Sequence, residues 1–365
     1  MVNRRSCRAV ASLVILLAVH HASLGTAAPI TPGNLVIYRV GDGAAALTTA
    51  GAAVFLDEYT TAGALVQTIT VPTTGATQMV AVGNASTEGI ISRSQDGSKL
   101  LFMGYRNTTG TTPGGSTVPR VIGTLDVAGS LDTSIAVTDM TSAVPRSATS
   151  VDGSAYWVGT STGVRYIPTP TATSTSVLID SRNSRQVNLF DNVLYATNGS
   201  TGTAAKVQSY GTLPTISTVP TPLVTTVSSD AMNGFALLDL DAGIPGPDTM
   251  YTLSTLSSQL LKYSYNGASW ITSGSIASSS VDLVATNVGG AVTLYLTSGS
   301  NLRVLTDTSG YNGTITGSFT LLATPATNTA FRGVGLFAVP EPASMTLVGT
   351  AMAAAGFGIR RLRRR

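Results

Sequence analysis

The residues with most to offer chemically lie in Leu237-Leu-Asp-Leu-Asp-Ala-Gly-Ile-Pro-Gly-Pro-Asp-Thr-Met-Tyr251. Asp239 and Asp241, then a Gly/Pro loop and Asp248, can offer carboxylate oxygens to a calcium ion. The spacing is not that of an EF-hand loop, and no glutamate closes the set. The competing expectation is a polar turn entering a strand at Met250-Tyr251, with Asp239 and Asp241 pointing outward. A second pair, Asp57-Glu58, would suit glycoside chemistry if both carboxyl groups converged on one bond. Neighbours on a strand point to opposite faces, so the pair reads instead as a surface turn. The chain's only histidines, His20 and His21, and its only cysteine, Cys7, all fall in the first 28 residues. A mature chain starting at Pro29 holds neither residue type. That excludes disulfides, Cys- or His-ligated zinc, and Ser-His-Asp or Cys-His catalysis. No Gly-rich phosphate loop or nucleophile elbow is present either.

The reason for setting aside residues 1–28 is their order of parts. Arg4, Arg5 and Arg8 precede an apolar stretch, Ala9 to Val19, and small residues then lead to a cut after Ala28. That is the layout of a secretory signal peptide, cleaved by signal peptidase, and eleven apolar residues are too few to span a bilayer. The other end is equally distinct. Pro340-Glu341-Pro342 is followed by uncharged Ala343 to Ile359 and then by Arg360, Arg361, Arg363, Arg364 and Arg365. Between the two ends lie 13 of the 21 basic and 17 of the 18 acidic residues, so the body is near −4. The basic pI belongs to the terminal segments. A nucleic-acid partner, which needs a basic face, is not expected.

The elements that must position any site are strands. From Pro29 to Phe337 the chain is dominated by Thr, Ser, Val, Gly and Ala, a composition that disfavours helix. Short apolar runs such as Leu35-Val-Ile-Tyr38 and Thr293-Leu-Tyr-Leu296 alternate with Asp-Gly and Asn-Gly dipeptides, which admit the positive φ of tight hairpins. "SQDGSKLLFMGY", "SVDGSAYWVGT", "LFDNVLYATNG", "PGPDTMYTLS" and "VGGAVTLYLTS" share one form, a polar turn leading into apolar residues around an aromatic. Their aromatics, Phe102, Trp157, Tyr195, Tyr251 and Tyr295, lie 38 to 56 residues apart. With Tyr38 and Phe337 as flanking members this gives seven units of roughly 43 residues, the period of propeller blades. The expected fold is all-β, a β-propeller of six or seven blades over residues 29–337, with a C-terminal hydrophobic helix in 338–365. A β-sandwich pair or a β-solenoid is the alternative. In a propeller, "FRGVGLFAV" and "NLVIYRV" would share one blade and close the ring.

The tail as a whole resembles the PEP-CTERM sorting signal: Val339-Pro-Glu-Pro-Ala-Ser344, an apolar segment, then a terminal arginine cluster. The resemblance implies export, passage through a membrane-embedded exosortase, and release or attachment at the cell surface. It makes Pro340, Glu341 and Pro342 recognition elements, and the Arg cluster a cytoplasmic stop. The apolar run, about 26 Å as a helix at ~1.5 Å per residue, is short for a permanent anchor. The body is similar to propeller-like PEP-CTERM proteins in "NLVIYRVGDGAAAL", "VFLDEYTTAGALVQTI" and "FALLDLDAGIPGPDTMYTLS", which implies no particular activity.

Three functional expectations follow. The first is a non-enzymatic propeller at the cell envelope or in the extracellular matrix that binds glycan or protein and needs no cofactor. The second is a secreted carboxylate-based glycan lyase or hydrolase on the same scaffold, which needs two or more Asp/Glu converging with Arg or Tyr on one propeller face. The third is a plain tail-anchored surface protein.

Overall fold

Runs of four to nine strand-forming residues, cut by Gly, Asp and Asn turns, set the length of most strands in this chain. The structure, a computed structural model, describes residues 27–114, 117–140, 142–202, 205–225 and 230–338. Within them lie 25 strands, paired antiparallel. Blade 1 holds β1 (Leu35–Val40), β2 (Gly51–Tyr59) and β3 (Leu65–Thr70). The short β4 (Val80–Val82) links β2 to blade 2, which is β5 (Ser92–Arg93), β6 (Lys99–Tyr105), β7 (Arg120–Asp126) and β8 (Leu131–Val137). Blade 3 is β9 (Pro145–Thr149), β10 (Tyr156–Thr160), β11 (Gly163–Ile167) and β12 (Val177–Asp180). Blade 4 is β13 (Ser184–Phe190), β14 (Val193–Asn198), β15 (Ala205–Thr212) and β16 (Thr221–Thr225). Blade 5 is β17 (Met232–Leu238), β18 (Thr249–Ser254), β19 (Gln259–Tyr265) and β20 (Trp270–Ala277). Blade 6 is β21 (Asp282–Val288), β22 (Ala291–Ser298), β23 (Asn301–Asp307) and β24 (Thr320–Ala323). The last strand, β25 (Ala330–Leu336), returns to blade 1 and pairs with β1, Leu35 opposite Leu336 and Val40 opposite Ala330. The described body is a six-bladed propeller, closed by its own two ends.

The closing pair explains the blade count. Tyr38, Phe102, Trp157, Tyr195, Tyr251 and Tyr295 fall on β1, β6, β10, β14, β18 and β22, the second strand outward in each blade, and all are buried. The sequence repeat is therefore a blade repeat. Phe337 follows β25, which is the innermost strand of blade 1, so counting it as a seventh unit counts that blade twice. The expected C-terminal helix lies outside the described residues; among those residues no helix is long and apolar enough to cross a membrane.

Burial follows blade position. Inner strands such as β10 and β18 are buried along their whole length, because neighbouring blades cover both faces. Outer strands such as β20 alternate. Small hydroxyl residues (Ser147, Thr197, Thr252, Thr297) are fully buried between blades and suit this close approach. The turns of adjacent blades also bond to one another. In "SQDGS" Gln95 N and Asp96 N donate to Ser150 O (2.9 Å) and Val151 O (3.0 Å) of "SVDGS". Gly97 and Gly153 in these turns carry φ of 75° and 93°, open to glycine at no steric cost.

Asp57 and Glu58 correct the surface-turn expectation. They lie on β2, both buried, with side chains on opposite faces as strand geometry requires. Asp57 pairs with Arg39 at 2.5 Å and accepts from Thr68 Oγ1 at 2.8 Å. Glu58 accepts from Asn34 Nδ2 (2.6 Å), Gln67 Nε2 (2.7 Å) and Thr31 N (2.9 Å). Burial raises the Glu58 pKa, but these bonds outweigh it and hold the carboxyl below its ordinary range.

Candidate functional site

The innermost strands surround a central cavity of about 510 Å³. Its walls are β5, the C-terminal parts of β13, β17 and β25, the first half of β21, and the turns after β5, β13 and β17. Phe235, Leu237, Val284 and Leu336 give it apolar sides, while Arg93, Asn188, Asp191 and Asp239 bring polar groups to its lining. The Asp191-Asn192 turn has φ of 48° and 62°, both left-handed, which makes a tight hairpin of β13 and β14 and sets Asp191 at the strand end.

The floor is closed by side chains that cap the backbone of the neighbouring blade. Ser147 Oγ accepts from Val187 N at 2.9 Å, and Gln186 Oε1 accepts from Phe235 N at 2.5 Å. Asp282 Oδ2 accepts from Ile91 N (3.1 Å) and Val334 N (3.0 Å), and Oδ1 from Leu283 N (2.9 Å). One carboxylate thus joins blades 6, 1 and 2. Burial pushes its pKa up to about 8 against the pull of those three amides.

The structure gives the three aspartates of the calcium expectation different surroundings. Asp239 is exposed in the cavity lining. Asp241 Oδ1 accepts from Gly243 N at 3.0 Å. Asp248 is fully buried and organises the loop: its carboxylate accepts from Leu240 N (3.1 Å), Asp241 N (2.5 Å) and Thr249 Oγ1 (2.7 Å). Among the described residues no group of three or more His, Cys, Asp or Glu is placed to hold a metal. Ala28, the expected cleavage residue, gives its carbonyl to Gln67 Nε2 at 3.0 Å. Two residues on, Ile30 is buried in the blade 1 core and donates to Val127 O at 2.8 Å. Pro340, Glu341, Pro342 and the five terminal arginines lie outside the described residues.

Glu88, Lys262 and Asp307 are buried charged residues that also escaped the sequence reading. Glu88 accepts from Tyr105 OH (2.9 Å) and Val82 N (3.1 Å), and burial pushes its carboxyl up to about 7 despite those bonds and the nearby Arg332 and Arg120. Lys262 and Asp307, both fully buried, pair at 2.9 Å between blades 5 and 6. Each stands alone between uncharged chain neighbours, and no spacing or motif marks it.

Residues 338–365 match the model of the PEP-CTERM protein-sorting motif. The chain carries a PEP-CTERM sorting motif. That motif implies export and processing by exosortase, a membrane enzyme. It begins at Ala338, two residues after β25 ends. The PEP-CTERM segment therefore leaves the propeller from the strand that closes the ring, at the end of β25 that lines the cavity. No curated protein matches the sequence. Solved structures of similar shape include a candidate 6-phosphogluconolactonase from Bacteroides uniformis (12% identity, TM-score 0.48, 79% of this chain and 82% of that one). Another from Bacteroides fragilis has 9% identity and TM-score 0.49, covering 83% and 98%. A nidogen/laminin complex chain has 11% identity and TM-score 0.49, with the same coverage. The fold rests on the strand order above, not on these likenesses.

Proposed function

We propose that this PEP-CTERM protein is a non-catalytic propeller, delivered to the cell surface or extracellular matrix, where it binds glycan or protein. The observation that carries this reading is the sorting motif joined directly to the closing strand. The body supports it. The two carboxyl groups in the cavity lining, Asp191 and Asp239, are both exposed. The carboxyl groups whose pKa is raised into an acid–base range, Glu88 and Asp282, are walled into the packing and occupied by backbone amides. General acid catalysis needs such a group at the substrate.

Intact-mass and C-terminal peptide analysis of the native protein, from envelope and culture medium, tests the delivery. A mature chain starting at Pro29 and lacking the residues beyond Pro340-Glu341-Pro342 is expected. A chain ending at Arg365 in the membrane fraction refutes it and leaves a plain anchor. The shared lining of Asp191, Asp239 and Arg93 favours the second reading, a carboxylate-based glycan lyase or hydrolase. Turnover of a polysaccharide that is lost in both Asp191→Asn and Asp239→Asn would establish it.

A further inference from the structure

A second cavity, also of about 510 Å³, opens on the flank between blades 4 and 5. One wall is the edge strand β16 with Tyr195 of β14; the other is the β19–β20 hairpin. Tyr265 and Trp270 are cross-strand partners on that hairpin, half-buried, with ring centroids 5.5 Å apart and planes tilted by 38°. Behind them Tyr195 and Tyr263 are each only 7% exposed. Neither phenol oxygen nor the Trp270 indole N–H bonds to a described residue, and none of the three is sealed from solvent: they face the cavity. The rings are thus held in the packing while their hydroxyls line the cavity, where a ligand that donates and accepts can reach them.

We infer that this groove binds a neutral pyranose oligosaccharide. The inference rests on the proposed reading of the body as an exported binding module, and gives that module a site and a ligand class. A pyranose ring has an apolar C–H face, which packs on an aromatic ring, and a rim of hydroxyls that both donate and accept. The groove supplies both halves: the Tyr265–Trp270 platform, and hydroxyls from Tyr195, Tyr263, Thr221 and Thr225. Among the described residues no lining side chain is charged, so uronate, phosphate and sulfate groups would lose hydration with no cation to receive them. The volume lies within the usual 300–1,000 Å³ of small-ligand sites, so it admits a few sugar units of a longer chain. A proline-rich peptide also packs on aromatics, but it offers only carbonyl acceptors and would leave acceptor capacity of the phenols and threonines unused.

The test uses the full chain in a non-glycosidic detergent, titrated with hexasaccharides of β-1,4-glucan, β-1,4-mannan and α-1,6-glucan. Polygalacturonate and decaproline serve as comparisons. Trp270 reports directly, since the other tryptophan, Trp157, is buried with its Nε1 bonded to Pro214 O at 2.7 Å. A saturable emission change with at least one neutral hexasaccharide is expected, absent in Trp270→Phe. Affinity by calorimetry should fall at least tenfold in Trp270→Ala. In Tyr263→Phe, which keeps the packing, it should fall at least threefold with Tm unchanged. Binding of decaproline alone would make the groove a peptide site and overturn the proposal, as would silence toward every neutral sugar. Either failure leaves the delivery reading intact, because that is read from the chain termini.

Discussion

The Lys262–Asp307 pair predicts an asymmetric response to mutation. Asp307 holds more than its lysine. Its Oδ2 accepts from Lys262 Nζ (2.9 Å) and Tyr251 OH (2.7 Å), and its Oδ1 from Ser309 N (3.0 Å), Thr316 N (3.1 Å) and Thr316 Oγ1 (3.1 Å). Among the described residues Lys262 has Asp307 as its only anionic partner, and it also donates to Ser309 Oγ (2.8 Å) and Gly310 O (2.6 Å). In Lys262→Met the carboxylate keeps four donors, so the loss should be about 1–2 kcal/mol. In Asp307→Leu an ammonium is left buried with no counter-charge and four donors lose their acceptor, so the loss should reach about 3–5 kcal/mol. At roughly 2–4 °C per kcal/mol for a domain of this size, Tm should drop by about 6 °C or more. The double variant Lys262→Met/Asp307→Leu should be more stable than Asp307→Leu alone, because it removes the orphaned charge. Urea denaturation of the wild type, both single variants and the double closes the cycle. Equal losses from the two single changes, or a double variant worse than Asp307→Leu, would refute the reasoning.

The acid limb of the same site follows from its sign. Burial raises the Asp307 pKa, but bonds from Ser309, Tyr251 and Lys262 outweigh it and set the carboxyl well below its ordinary range. Its stabilisation is full above the unfolded-state value and fades as pH falls, so Asp307→Asn and wild type should converge in urea midpoint below about pH 4. Glu88 acts in the opposite sense. Its pKa rises from 4.5 to about 7, so its contribution is full below 4.5 and declines as pH rises to about 7; Glu88→Gln should flatten the midpoint across that window. Ring closure has its own test at Gly333 on β25, where a Cβ would run into the Gly89 carbonyl oxygen and the Ile91 amide. Gly333→Ala should cost at least about 2 kcal/mol in the same assay, and an unchanged midpoint would mean that β25 does not sit against blade 2 as described.

Strand placement was legible because each blade repeats one local rule, a polar turn followed by apolar residues around an aromatic. Tyr38 through Tyr295 mark the second strand of every blade by that rule alone. The closing pair of β1 and β25 was legible for the same reason, since both segments read as strands and a ring must meet itself. What the sequence hid depends on distance. Asp282, in "SVDLVAT", looks like any acidic residue before a strand, yet it bonds amides 52 and 191 residues away. Asp57 and Glu58 looked like a surface turn because charge ordinarily means exposure; Arg39 and Gln67, which pay for their burial, sit on flanking strands rather than at a recognisable spacing. The flank groove was hidden in the same way. Tyr195 reads as a repeat aromatic and Tyr263 and Trp270 belong to no motif, so only the meeting of two blades turns the three into a site.

The direction of the chain adds a constraint that neither the cavity nor the tail carries alone. β13, β17 and β25 line the cavity with their C-terminal parts, and the turns after β5, β13 and β17 (Gln95, Asp191, Asp239) edge it at the same end. The sorting segment must therefore depart beside the cavity mouth. From Leu336 to Ala343, where the apolar run begins, is seven residues, a reach of at most about 25 Å at 3.3–3.6 Å each. On the proposed reading, a tail held in the bilayer keeps the mouth turned toward the membrane and within that distance of it. A polymer would then find the mouth obstructed until the tail is cut, whereas the groove between blades 4 and 5 opens on the flank and stays accessible throughout. Sorting and binding are thereby separable: the flank groove should take its ligand equally before and after processing, and only a ligand of the central cavity should depend on release.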